Sequence, residues 1–167
     1  MDALVVVHTE TPYLELHRKG SRKYNKNKRV FESIAKEIGR QVKLDNRVYY
    51  IPGESDSPDS TLIYPAIRKH FPKMRFVSGN YVPVEGGFLR AKELLIEGGA
   101  ENVGVCGVSR HSCVSDAHNL FTARPGFEMT TLEGYLTASK SMGWNERKFK
   151  EVFNYVLNSR ILEDLTI

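Results

Sequence analysis

The chain has 167 residues, of which 41% are hydrophobic and 26% are charged, and its formal net charge is +4. This length and composition predict one globular domain, residues 1–167, that is large enough to bury a core. No apolar run approaches the roughly 20 residues needed to span a membrane, and the two cysteines are not spaced as a disulfide framework. No signal-peptide pattern surrounds the first apolar run, so the expected location is the cytoplasm.

Short apolar runs alternate with amphipathic stretches along the chain. The first run, Ala3–Val7, is wholly aliphatic, as expected of a strand that is covered on both faces. Further strands are predicted at residues 48–51, 74–77, 103–106 and 127–132. Helices are predicted around residues 31–38, 62–67, 89–95, 113–121 and 149–157, with Gly98 and Gly99 ending the third and Asn145 capping the last. This alternation predicts an α/β fold with three layers, α/β/α, and a mainly parallel sheet.

Residues 18–29 form a basic segment that holds seven Lys and Arg side chains and no acid. We interpret this segment first as a solvated, mobile loop. Two functional alternatives stay open: an electropositive lid over an anionic substrate, and a weak contact with nucleic acid. Tyr24 is the one side chain of the segment able to stack on a base, so the indication of nucleic-acid binding is weak.

Cys113 occupies the most informative position in the sequence. Residues 102–114 are predicted to form a buried strand, a short turn and the start of a helix that Cys113 opens. The positive end of the helix dipole and the preceding Arg110 and His111 favour the thiolate, which is the nucleophilic form of cysteine. The alternative interpretation is a buried structural cysteine.

Ligands bind beyond the carboxyl ends of the strands in parallel sheets of this kind. Three strand ends therefore define the predicted site, namely His8 to Glu10, Ser78 to Tyr81, and Gly107 to Cys113. A catalytic site at this edge requires that residues from all three meet.

These three segments resemble the isochorismatase-like cysteine hydrolases, the superfamily that includes the nicotinamidases. Residues 107–114, GVSRHSCV, are similar to the family's Gly-Val-Ala-Thr-Asp-x-Cys-Val stretch, which carries the nucleophile. Residues 79–81 and 86–88, GNY and GGF, are similar to the family's segment after its third strand, and residues 3–7 are similar to its first strand. The resemblance implies a single isochorismatase-like domain of Rossmann-like architecture.

The resemblance also implies roles for individual residues. Cys113 is expected to attack a C–N bond of the amide type in a small molecule, with the backbone N–H groups of Ser109 and Cys113 as the oxyanion hole. The family pairs its cysteine with an Asp and a Lys, and this chain has His8 and Ser78 at those positions. We assign His8 as the replacement base and Glu10, two residues further along an extended chain, as the group that orients it. The expected pocket residues are Ser78, Tyr81, Phe88, Arg110 and His111.

The family's metal motif, Asp-x-His after the second strand, is replaced here by residues 52–56, PGESD. No metal and no other cofactor is therefore expected, and His17, His70 and His118 are interpreted as surface or core residues. By resemblance, the chain is expected to form a homo-oligomer.

Three functions stay open. The first is a metal-independent cysteine hydrolase with altered catalytic partners. The second is a catalytically degenerate relative that binds a ligand or a partner protein. The third is binding of nucleic acid or phosphate through residues 18–29.

Overall fold

A computed structural model describes residues 1–77, 85–122, 142–154 and 157–162 of the chain. Five strands form one sheet, and every pair of neighbouring strands in it is parallel. In chain order these strands are β1 (Ala3–Val7), β2 (Arg47–Ile51), β3 (Arg75–Phe76), β4 (Asn102–Gly107) and β5 (Asn158–Ile161). Their order across the sheet is β3-β2-β1-β4-β5. The predicted α/β class and the parallel sheet are confirmed.

The helices within the described ranges are α1 (Thr11–Glu15), α2 (Arg22–Lys43), α3 (Pro65–Arg68), α4 (Glu85–Glu97), α5 (Ser115–Phe121) and α6 (Glu146–Asn154). A 3-10 turn at Phe71–Lys73 precedes β3, and a wide π-type turn at Arg110–Val114 precedes α5. None of these helices combines the length and the apolar character that a membrane crossing requires.

Alternate side chains of β1 enter two separate hydrophobic cores, one on each face of the sheet. Leu4 and Val6 pack with the buried face of α2, whereas Val5 and Val7 pack with apolar residues of α4, α5 and α6. All five residues of β1 are buried, as expected of a central strand with helices on both sides. The arrangement is consistent with the predicted three layers.

The basic segment is not the loop that we predicted. From Arg22 onward it forms the first turns of α2, whose N-cap residue, Ser21, accepts a hydrogen bond at its Oγ from the N–H of Tyr24 at 3.2 Å. Lys and Arg are good helix formers, and the buried stripe that continues through Phe31, Ile34 and Ile38 stabilises the whole helix cooperatively. All seven basic side chains of the segment are exposed.

Two predicted helix boundaries are confirmed in atomic detail. Gly99 has a φ of +68°, and the chain closes α4 with hydrogen bonds from Gly98 N–H to the Leu94 carbonyl and from Ala100 N–H to the Leu95 carbonyl, both at 3.0 Å. Before α6, the Asn145 Oδ1 accepts a hydrogen bond from the N–H of Lys148 at 2.8 Å.

Other predicted boundaries are corrected. The helix predicted at 62–67 is only the single turn α3. The helix predicted at 149–157 is described as α6 from Glu146 to Asn154, and residues 155–156 lie outside the described residues. The strand predicted at 127–132 lies outside the described residues, and β5 was not predicted because its alternation of half-buried and exposed residues carries few apolar side chains.

Candidate functional site

A pocket of about 430 Å³ opens at the carboxyl edge of the sheet, between the ends of β1 and β4. His8 contributes to its wall from the end of β1, and Cys113 and Ser112 contribute from the turn after β4. Tyr13 and His17 lie on the facing side, in α1 and just after it. Two of the three predicted strand ends therefore line one cavity, and the third, Ser78 to Tyr81, lies outside the described residues.

Cys113 is half-buried, and its Sγ lies 3.8 Å from the Oγ of the neighbouring Ser112. The thiol belongs to the π-type turn and precedes α5, which begins at Ser115, so it does not open the helix itself as we predicted. The turn is closed by the Ser109 carbonyl, which accepts hydrogen bonds from the N–H groups of Ser112 and Val114, both at 3.2 Å. The role of the Ser109 and Cys113 N–H groups as an oxyanion hole stays a prediction.

Gly107 lets the chain pass close to β1 where it leaves the sheet and enters this turn. A Cβ at this position would lie 2.6 Å from the backbone oxygen of Val7 and 2.7 Å from a methyl group of Val114. Because glycine has no side chain, the backbone at Gly107 can lie this close to the end of β1, at the edge of the sheet where Cys113 and His8 line the pocket.

His8 has a backbone φ of +52°, a left-handed conformation that is uncommon for residues other than glycine. Its ring lies between two aromatic rings, with centroid separations of 6.1 Å to Tyr13 and 5.9 Å to Phe88. The backbone N–H of His8 donates a hydrogen bond to the Ile51 carbonyl at 3.0 Å. The buried Nε2 of its ring has no hydrogen-bond partner among the described residues. Burial lowers the pKa of His8 to about 4, so the imidazole is neutral near neutral pH.

Glu10 is fully buried, and its carboxylate faces the loop after β2. It accepts hydrogen bonds from the hydroxyl of Tyr50 at 3.0 Å, the N–H of Gly53 at 3.0 Å and the N–H of Glu54 at 2.9 Å. Burial raises the pKa of Glu10, and these hydrogen bonds oppose the rise. His8 is not among the described hydrogen-bond partners of this carboxylate, and its observed contacts tie the ends of β1 and β2 together.

The geometry at His8 explains why the expected pairing of His8 with Glu10 does not follow from their spacing. Side chains two residues apart share a face only where the backbone is extended. The left-handed φ of His8 interrupts the extended backbone between the two residues. The alternation on which the orienting role was predicted therefore does not apply at this point of the chain.

Tyr13 contacts both His8 in the thiol pocket and Gly53 in the loop after β2, which binds the Glu10 carboxylate. Its ring stacks on His8, and its hydroxyl packs so closely on Gly53 that a Cβ there would collide with it. Burial, followed by the negative charges of Glu10 and Glu54, raises the pKa of Tyr13 to about 12. The phenol therefore stays protonated near neutral pH and keeps its O–H as a hydrogen-bond donor.

The remaining predicted pocket residues divide into two groups. Phe88 is buried and forms the aromatic contact behind His8. Arg110 and His111 are exposed and line a neighbouring cavity, which is described below. Ser78 and Tyr81 lie outside the described residues.

The sequence analysis gave no pocket role to four residues of the wall, namely Tyr13, Leu16, His17 and Asn27. They come from α1, from the residues just after it and from α2. The available signal was the position of α1, because residues that follow the end of a parallel strand lie at the ligand-binding edge. His17, interpreted as a surface or core residue, is half-buried in this wall.

Among the described residues, no group of three or more His, Cys, Asp or Glu side chains is arranged to hold a metal ion. Comparison of the chain with known protein families, with curated proteins and with solved structures found no match.

Proposed function

We propose that this protein is a divergent isochorismatase-like hydrolase that uses Cys113, without a metal, to cleave an amide-type C–N bond of a small molecule. The observation that supports the proposal best is that the Cys113 thiol and the neutral His8 imidazole line the same pocket at the carboxyl edge of a parallel sheet. A nucleophile and a base that starts unprotonated are the two groups that such a reaction needs first.

In the proposed reaction, His8 accepts the Cys113 proton as the sulfur attacks the carbonyl carbon. The C–N bond then breaks, and the imidazolium returns the proton to the departing amine. Water next adds to the thioester, the S–C bond breaks, and the thiol is restored with release of a carboxylic acid. The charge that develops on the carbonyl oxygen requires donors, for which the N–H groups of Ser109 and Cys113 are the candidates within the turn.

The low pKa of His8 shapes this mechanism. A buried imidazole that has no carboxylate bonded to it among the described residues does not favour a resting imidazolium. The proton must therefore move during the attack rather than before it, as in general-base catalysis.

A reporter acyl ester tests the proposal without knowledge of the natural substrate. The protein is mixed with p-nitrophenyl acetate, release of nitrophenol is followed, and the intact mass is recorded during turnover. The expected result is an acetyl group on Cys113 that forms and decays, is absent in Cys113→Ser, and forms more slowly in His8→Asn. Cys106→Ser is the control, because Cys106 is buried in the core and is expected to leave the reaction unchanged. An acetyl group that forms no faster than on a free thiol, or never decays, contradicts hydrolysis.

A second candidate function is ligand binding at a site that no longer turns over. It is favoured by the engagement of Glu10 with Tyr50, Gly53 and Glu54, because the described hydrogen bonds leave no carboxylate on the His8 ring. The same mass measurement separates the two candidates, since a binding protein is expected to show no acyl intermediate that decays.

A further inference from the structure

A second cavity of about 460 Å³ lies beside the thiol pocket. The two cavities share Asn27, Val108 and Ser109 in their walls, so they are direct neighbours on the surface. The second cavity runs from the start of α2, across the end of β4, to the end of β5. A ligand that extends from one cavity into the other passes the turn that carries Cys113.

The second cavity is electropositive in composition. Its lining includes Lys26 of α2 and Arg110 and His111 of the π-type turn. Apolar residues, among them Val30, Val114 and Ile161, also line it. Among the described residues, no Asp or Glu lines either cavity. A concave site that is lined by Lys26 and Arg110, and by no carboxylate of the described residues, favours a negatively charged ligand.

We infer that the substrate of the proposed hydrolase is an anionic small molecule. Its carboxylate or phosphate group occupies the cavity at Lys26, and its susceptible bond lies in the neighbouring pocket at Cys113. This inference rests on the proposed function for the position of the reacting bond, and on the charges of the second cavity for the anionic group. It assigns to Lys26 a binding role in substrate specificity.

The geometry favours a small anion over a nucleic acid. Tyr24, the aromatic residue of the basic segment, packs against the core on the α2 side of the sheet and is not displayed for stacking on a base. Lys26 is also the one basic residue of residues 18–29 that lines either cavity. The other six basic side chains of the segment are exposed outside them.

Two alkylating reagents that differ in charge test the inference. Iodoacetate and iodoacetamide carry the same reactive carbon, but only iodoacetate is an anion. Cys106 also lines the second cavity, so the rates are measured in a Cys106→Ser background, in which alkylation reports on Cys113. The expected result is a ratio of iodoacetate rate to iodoacetamide rate that exceeds the ratio measured for N-acetylcysteine. Lys26→Gln is expected to lower that ratio about fivefold, because one unit charge beside an anion in a partly solvated site contributes about that factor. A change in the reactivity of the thiol itself affects both reagents and cancels in the ratio.

Lys28→Gln is the matched control, because it removes the same charge from the same helix but from an exposed position outside both cavities. An equal fall in the ratio for both variants contradicts a site at Lys26 and indicates a diffuse field of the helix. A second measurement asks whether inorganic phosphate or acetate, at constant ionic strength, slows the alkylation of Cys113. Slowing that Lys26→Gln abolishes supports the inference. If neither anion slows the alkylation, the inference is overturned. The inference is also overturned, in favour of nucleic-acid binding, if a uridine oligonucleotide slows the alkylation of Cys113 and Lys28→Gln weakens this effect as much as Lys26→Gln does.

The outcomes also separate this inference from the proposed function. A high ratio with no acyl intermediate in the ester assay retains the anion site and rejects the hydrolase. A decaying acyl intermediate with an ordinary ratio rejects the anion site and retains the hydrolase.

Discussion

Replacement of His8 by asparagine is expected to remove a large part of the sensitivity of the fold to mild acid. Asparagine tolerates the left-handed backbone of this position and does not titrate, so His8→Asn removes the imidazole with little change of the main chain. Burial holds the pKa of folded His8 at about 4, against 6.5 for an unhindered imidazole. That difference corresponds to about 3 kcal/mol of free energy of unfolding.

The direction of the effect follows from which state binds the proton. Above pH 6.5 the imidazole is neutral in both states, and the full contribution to stability is present. As the pH falls from 6.5 to about 4, the unfolded chain takes up a proton that the folded chain refuses, so the free energy of unfolding decreases. Below about 4 the folded state binds the proton as well, and the loss levels off.

Urea unfolding of the two proteins at a series of pH values between about 7 and 4 measures this effect. The quantity of interest is the difference in free energy of unfolding between wild type and His8→Asn, because contributions from other titrating groups cancel in it. We expect this difference to move by about 3 kcal/mol in favour of the variant as the pH falls. A difference that stays constant across the range refutes the assignment of a buried, neutral imidazole.

Three further predictions concern the frame around the site. Burial lowers the pKa of Lys92 to about 8, so the stability of the wild type is expected to rise between pH 8 and 10.5, and Lys92→Met is expected to flatten that rise in urea titrations. Gly107→Ala is expected to lower the free energy of unfolding by about 2 kcal/mol or more, measured by thermal or urea unfolding, because the added Cβ meets the Val7 carbonyl oxygen. Gly39→Ala in α2 is the control and is expected to be neutral or stabilising, because the nearest atom to its Cβ lies at an ordinary 3.4 Å. Asn145→Ala is expected to cost about 1 kcal/mol through loss of the N-cap of α6, and an unchanged unfolding midpoint argues against that cap.

The sheet and the placement of Cys113 were predictable because both follow from local patterns. An aliphatic run such as Ala3–Val7 has few alternatives to a buried strand, and the run before Gly107 has the same character. Parallel pairing of the two strands then brings their carboxyl ends together, which is enough to place Cys113 close to His8.

The partners of the thiol were harder to predict. The role given to Glu10 depended on a regular extended backbone, and a single left-handed residue, His8, changed the direction of the chain. Nothing in the residue types before Glu10 indicates that conformation. The partners of its carboxylate, Tyr50 and Gly53, lie some forty residues away in sequence and become neighbours only when β1 and β2 pair.

The basic segment shows how charge patterning alone misleads about secondary structure. Seven cations without an intervening acid were interpreted as a loop, yet Ser21 caps the segment and Phe31 anchors the helix that it begins. The folded form places one of these cations, Lys26, in the wall of a cavity beside the thiol pocket, and the sequence pattern did not indicate which of the seven cations lies there.

The central place of β1 has a consequence for how the chain reaches this structure. Val5 pairs with Tyr49 on one side and with Val105 on the other, so the middle of the sheet joins segments that are far apart in sequence. Closing such long intervals costs chain entropy before any contact repays it, which makes folding slow for a protein of this size. During synthesis, β1 can pair with β2 early, but its other edge stays unpaired until β4 emerges from the ribosome, and an unpaired aliphatic edge favours aggregation during that period.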